Sequence, residues 1–214
     1  MSKTIKKESQ KTRQAMMDRQ KKHQDWPDFA TNVAEYFSQV AQNAKEENYP
    51  ENLYVYRNDS KRIIQLYSGA HPIDVIYKYD LLGNENGLEV LVEHDAALVV
   101  SQAANGSAAI FLFPYKSSKQ SQVTSHIIWK VFGGPEDIKL GALNSATKDF
   151  FAYMRVSSAV LTESLLDRLR IRYLEIRNKK YSGEGNIAKI TFSHWFWTAL
   201  AAIGAVASIY SLFV

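Results

Sequence analysis

The chain of 214 residues has no cysteine. A disulfide framework, a thiol nucleophile, and any zinc or iron–sulfur site held by thiolates are therefore excluded. Catalytic and nucleotide motifs are missing too. There is no Gly-x-Ser-x-Gly elbow, and Gly133-Gly134-Pro135 is not followed by the Lys-Ser/Thr pair of a phosphate loop. Gly83–Gly87 does not open a helix, as a dinucleotide loop would. Histidine is scarce, with five in the chain. His71, Asp74, His94 and His126 lack His-x-x-x-His or His-Glu-x-x-His spacing, so neither a metal nor a cofactor is expected.

The most consequential absence is local. Residues 190–214, Ile-Thr-Phe-Ser-His-Trp-Phe-Trp-Thr-Ala-Leu-Ala-Ala-Ile-Gly-Ala-Val-Ala-Ser-Ile-Tyr-Ser-Leu-Phe-Val, contain no Asp, Glu, Lys or Arg. As a helix these residues span about 37 Å, enough for a hydrocarbon core of about 30 Å. Lys189, Trp195 and Trp197 stand at one end and Tyr210 at the other, where membrane-interface anchors belong. The stretch is read as a single C-terminal transmembrane anchor. The competing reading is a buried core helix, but the run exceeds the usual ~10–14 residues and is apolar on every side. Basic residues lie on the N-terminal flank, which places the preceding domain in the cytoplasm and makes the protein tail-anchored. Small residues recur four apart at Ala201, Gly204, Ala205 and Ser208, a spacing that lets helix backbones approach. Self-association through the span is expected.

Charge divides the rest. Residues 1–25 carry eight basic and three acidic side chains, 26–166 eleven and sixteen, and 167–189 seven and three. Positive charge thus concentrates in an N-terminal segment and beside the anchor, while the body is acidic. Attraction to anionic lipid, about 1 kcal/mol per basic residue, accounts for the second cluster. Residues 1–25 have few apolar positions and read as a basic flexible tail, or a polar helix with no face to bury.

From 26 to 180 the patterning is that of a folded α+β domain. Phe29, Val33, Phe37, Val40 and Ala44 recur at three- and four-residue steps, so 28–47 is an amphipathic helix, with Asp25 as N-cap and Pro27 in the first turn. Short β-prone runs follow: 53–56, 62–68, 74–79, 88–93, 98–103, 108–113 and 126–132. Asn105-Gly106 lies between two of them, the strongest short hairpin signal. Tight turns make neighbours antiparallel, so an antiparallel β-meander is expected. Two helices close the domain, 136–153 and 159–178. In the second, Leu161, Leu165, Leu169, Tyr173 and Ile176 line the side expected to be buried. Residues 181–189 form a hinge before the anchor.

Candidate sites are few. His94-Asp95 could pair as a general base and its orienting carboxylate. Tyr54, Tyr56, Arg57 and Arg62 could share an open sheet face as a stacking platform for a ligand. Arg168 and Arg172 could meet an anion. The reading that fits these features is a non-enzymatic module on a lipid bilayer. Its cytoplasmic domain binds a partner or ligand as a sensor or scaffold, and the span clusters it. Two other classes stand beside it. One is a membrane-associated hydrolase using His94 and Asp95. The other is a nucleic-acid or nucleotide binder using the basic segment and the tyrosine-bearing strands.

Overall fold

The structure is a computed structural model that describes residues 2–79, 85–117 and 125–182. The anchor 190–214 and residues 183–189 of the hinge lie outside the described residues. Among the described residues, no helix is long and apolar enough to cross a membrane.

Helix α1 (Ser2–Gln24) is exposed along nearly its whole length. The segment has no glycine or proline to break a helix, and Gln14 donates to Asp18 one turn on. At 23 residues it reaches about 34 Å. Its C-terminal end meets the domain: Lys22 Nζ donates to the Gly133 carbonyl, and His23 lies 3.2 Å from Gln102 Oε1. Asp25 then leads into α2 (Trp26–Glu46) in helical conformation, without a side-chain cap bond. Trp26, Ala30, Val33 and Phe37 form the buried stripe of α2.

Among the described residues, seven strands follow. β1 (Leu53–Asn58), β2 (Ile63–Ser68), β5 (Ala97–Gln102), β6 (Ala108–Phe113) and β7 (Ile127–Phe132) form one antiparallel sheet in the order β1-β2-β5-β6-β7. Among the described residues, β3 (His71–Tyr79) and β4 (Glu85–Glu93) pair only with each other. The expected meander is therefore interrupted by a hairpin arm between β2 and β5. Pro72 has no N–H for a ladder, and the register slips between Pro72 and Asp74. The chain leaves the five-stranded sheet after Ser68 and returns at Ala97, which pairs with Tyr67 of β2. The Asn105-Gly106 turn joins β5 to β6 as expected. Gly106 has a φ of +86°, and a Cβ there would lie 3.1 Å from the Lys22 side chain.

A short 3-10 turn (Pro135–Asp137) precedes α3 (Leu140–Ser157), and α4 (Leu165–Ser182) follows. α2, α3 and α4 bury their apolar residues against one face of the sheet, over Ile64, Leu66, Leu98, Val100, Ile110 and Leu112. The opposite face holds a second cluster, Ile63, Ala97, Val99, Ala109 and Phe111. β5 is buried at every position and β6 at every position but its last. Strands buried on both faces read as continuous apolar runs rather than alternating ones, as Ala108-Ala-Ile-Phe-Leu-Phe113 does.

Phe150, fully buried where α3 meets the sheet, anchors the first cluster. Phe150→Ala is expected to cost about 3–5 kcal/mol, read as a lower urea midpoint with an unchanged slope.

Candidate functional site

His94 and Asp95 follow β4 at the base of the arm. His94 exchanges backbone hydrogen bonds with Lys116 at 3.0 and 2.9 Å. Asp95 sits at φ +69°, which turns its carboxylate back toward the imidazole: His94 Nδ1 is 3.1 Å from Asp95 Oδ2, and Lys116 Nζ is 3.5 Å from the same oxygen. The hydrogen bond to Asp95 raises the His94 pKa above the ordinary imidazole value, against the opposing effect of burial. Burial pushes the Asp95 carboxyl up, but the bonds and charges of His94 and Lys116 outweigh it and leave its pKa lowered. The sequence pair thus forms a proton-holding couple on the surface. Glu93, one residue earlier, points the opposite way into the protein, as alternation along a strand requires.

Glu93 belongs to a cluster that sequence reading missed. It is 1% exposed, and His71 lies between it and Glu51, with Nε2 3.1 Å from Glu93 Oε2 and Nδ1 3.0 Å from Glu51 Oε2. Ser158 Oγ and the Ala159 N–H both donate to Glu93 at 2.8 Å. The Tyr115 ring stands edge-on to His71 at 5.1 Å, and burial raises its hydroxyl pKa. With a carboxylate at each ring nitrogen, His71 has no nitrogen left for a metal or substrate. The arrangement is a clamp. His71 and Glu93 are the first cross-strand pair of the arm, and Ser158–Ala159 is the link from α3 to α4, so one network fixes both. Among the described residues, no group of three or more His, Asp or Glu side chains is placed to hold a metal ion.

The tyrosine platform divides. Tyr54 and Tyr56 are exposed on one side of β1, and Tyr54 packs 5.5 Å from Tyr67. Arg57 turns away, donating to Asp59 Oδ1, to Thr31 Oγ1 and to the Pro27 carbonyl at the start of α2. Arg62 lies at the far end of the sheet beside His23, and burial together with the Arg19 charge lowers its pKa. Tyr77 is on the separate arm. There Val75, Tyr77, Leu88 and Val90 stand on one exposed side, paired as Val75 with Val90 and Tyr77 with Leu88.

α4 reverses the expected orientation. Its buried residues are Ile171, Leu174 and Asn178, whereas Leu165, Leu169, Tyr173 and Ile176 face outward with Leu166, each more than half exposed. Leu161, before the helix, is partly buried. Polar contacts decide the side. Arg170 grips Asp149 through two bonds of 2.8 Å, while Asp149 also accepts from Trp129 Nε1 at 2.7 Å. Arg155 grips Asp167 in the same way and depresses its carboxyl pKa far below the usual range. Asn178 takes the Ile128 N–H at 3.1 Å. Three tethers thus bind the less apolar side of α4 to the domain. Arg168, paired with Glu163, and Arg172, exposed, flank the outward stripe.

Lys189, Trp195, Trp197 and Tyr210, and the small residues Ala201, Gly204, Ala205 and Ser208, lie outside the described residues. Comparison with protein-family models, curated proteins and solved structures finds no match to this chain.

Removing Glu93 leaves His71 Nε2, the Ser158 hydroxyl and the Ala159 N–H without their shared acceptor. Glu93→Ala is expected to cost about 3 kcal/mol, with faster amide exchange at the base of the arm as the local readout. His94 makes a pH prediction. Its folded pKa is raised, so the stability it adds is complete below its unfolded value and disappears as pH rises through the folded value. The urea midpoint of His94→Gln is therefore expected to lag the unaltered chain at about pH 5.5 and to approach it at about pH 8.5.

Proposed function

We propose that this protein is a membrane-tethered binding module. Residues 190–214 cross the bilayer, α4 lies along the anionic headgroup surface, and the α+β domain holds a partner protein on the cytoplasmic side. The observation that carries the reading is the outward face of α4. Leu165, Leu166, Leu169, Tyr173 and Ile176 are exposed apolar residues on a helix flanked by Arg168 and Arg172. An apolar stripe bordered by basic side chains is the pattern of a helix lying in a membrane interface. The chain runs from Ser182 to the uncharged stretch within a few residues, so α4 cannot stand far from a bilayer that holds 190–214.

Charge separates this reading from helix–helix pairing. Leu166, Leu169, Tyr173 and Ile176 follow heptad spacing, which could serve a coiled coil. Arg172 and Lys179 would then occupy flanking positions in both copies, and like charges would meet along the seam. An anionic surface satisfies the same residues. The partner site assigned to the domain is the arm, whose Val75, Tyr77, Leu88 and Val90 form an apolar side that a two-stranded hairpin does not bury by itself.

The test is fractionation. Full-length protein expressed in cells is expected to remain in membranes after carbonate washing, and a chain lacking 190–214 to be released. Release of the full-length chain by carbonate would end the reading. For the truncated chain, Arg168→Gln with Arg172→Gln is expected to weaken binding to phosphatidylserine vesicles by about 2 kcal/mol, roughly thirtyfold. Equal affinity for neutral vesicles would contradict the assignment of α4.

A further inference from the structure

The five-stranded sheet has two apolar faces, and α2, α3 and α4 account for one of them. Among the described residues, the second cluster is built from strand residues alone: it includes none from α1–α4 and none from the β3–β4 arm. Yet Ile63, Val99 and Ala109 are each at most 1% exposed. We propose that this face is the seat of residues 190–214 when no bilayer is present, so that the anchor has two homes, its own domain and the membrane. The inference rests on the reading of 190–214 as a bilayer-spanning segment.

Four observations converge on this occupant. The first is reach. α4 runs beside β7, where Asn178 bonds Ile128 and His126, and Ile128 borders the second cluster. The seven residues 183–189 can extend about 25 Å, and a five-stranded sheet is about 19 Å across. The second is hydropathy. Residues 190–214 form the longest stretch of the chain without a charged side chain, so no other undescribed segment would lose less solvation on covering an apolar face. The third is shape. Ala97, Ser101 and Ala109 place small side chains in neighbouring strands on this face. Ala199 to Ser208 is equally rich in small residues, so helix and sheet can approach closely. The fourth is size. Six-residue strands are about 20 Å long, which matches about 13 helical residues. The central part of 190–214 would cover the face and leave its aromatic ends outside.

The consequence is a regulated anchor. In water the segment is sheltered, which keeps the newly made chain from aggregating. At an anionic surface α4 docks first, and the segment transfers from sheet to lipid. The transfer uncovers the second face, which then becomes available to another protein.

The chain contains no cysteine, so introduced pairs report without background. Full-length protein carrying Ala109→Cys together with Ala201→Cys, Gly204→Cys or Ala205→Cys is prepared free of lipid and detergent. A second series uses Ala97→Cys, in case the first position perturbs folding, and circular dichroism checks each variant. Oxidation is expected to crosslink most of the chain for at least one tail position, and prior incubation with phosphatidylserine vesicles to abolish it. If every folded pair stays uncrosslinked without lipid while maleimide freely labels the thiol introduced on the sheet, the seat is overturned, and carbonate-resistant membrane residence still upholds the anchor. If crosslinking persists with vesicles and the chain is carbonate-extractable, the segment is a permanent core helix, and both the two-home inference and the membrane reading fall.

Discussion

The constraint on which this structure depends is a sheet with two apolar faces. A sheet must cover each apolar face or leave it to water. Here the three amphipathic helices are spent on one side. Their own tethers, Arg170 to Asp149, Arg155 to Asp167 and Asn178 to Ile128, hold them there. The other side must be served by something else in the chain or in the cell. The same tethers turn the more apolar stripe of α4 away from the domain, and the proposed contact with a lipid surface rests on that outward stripe.

Buried polar groups set the remaining geometry. Glu93 is nearly inaccessible and satisfies both of its oxygens through His71, Ser158 and Ala159. Buried hydrogen-bond networks contribute modestly to net stability but are costly to break. This one sits where the arm leaves the sheet and where α3 passes to α4, so it relates the proposed partner surface to the proposed membrane surface. The surface pair of His94 and Asp95 is different in kind. It is partly exposed and tied to Lys116, and its effect on folding varies with pH.

Much of the fold was legible because it is written in local periodicity. The α2 stripe of Val33 and Phe37, the strand runs, and the Asn105-Gly106 turn each follow from residues within one element. What was not legible is which side each element turns to the others. Period 3.6 identified a stripe on α4 but could not say that Arg170 would seek Asp149, 21 residues earlier. Alternation identified β3 and β4 but not that they would pair apart from the sheet. The histidine clamp joins Glu51, His71 and Glu93 across separate elements, so no spacing within one element announces it. His94 and Asp95, adjacent in sequence, were the one pair that local reasoning could find. Arg57 and Tyr56 are adjacent too, and the pleat sent them to opposite sides.

The central claim is that α4 lies in the headgroup region and 190–214 in the hydrocarbon. Single spin labels at Leu169, Ile203 and Glu136 of the full chain in anionic vesicles test it directly, through collision with oxygen and with a water-soluble nickel complex. Oxygen collisions are expected to dominate at position 203, nickel at 136, and the two to be comparable at 169. Nickel accessibility at 169 and 203 equal to that at 136 would contradict the account.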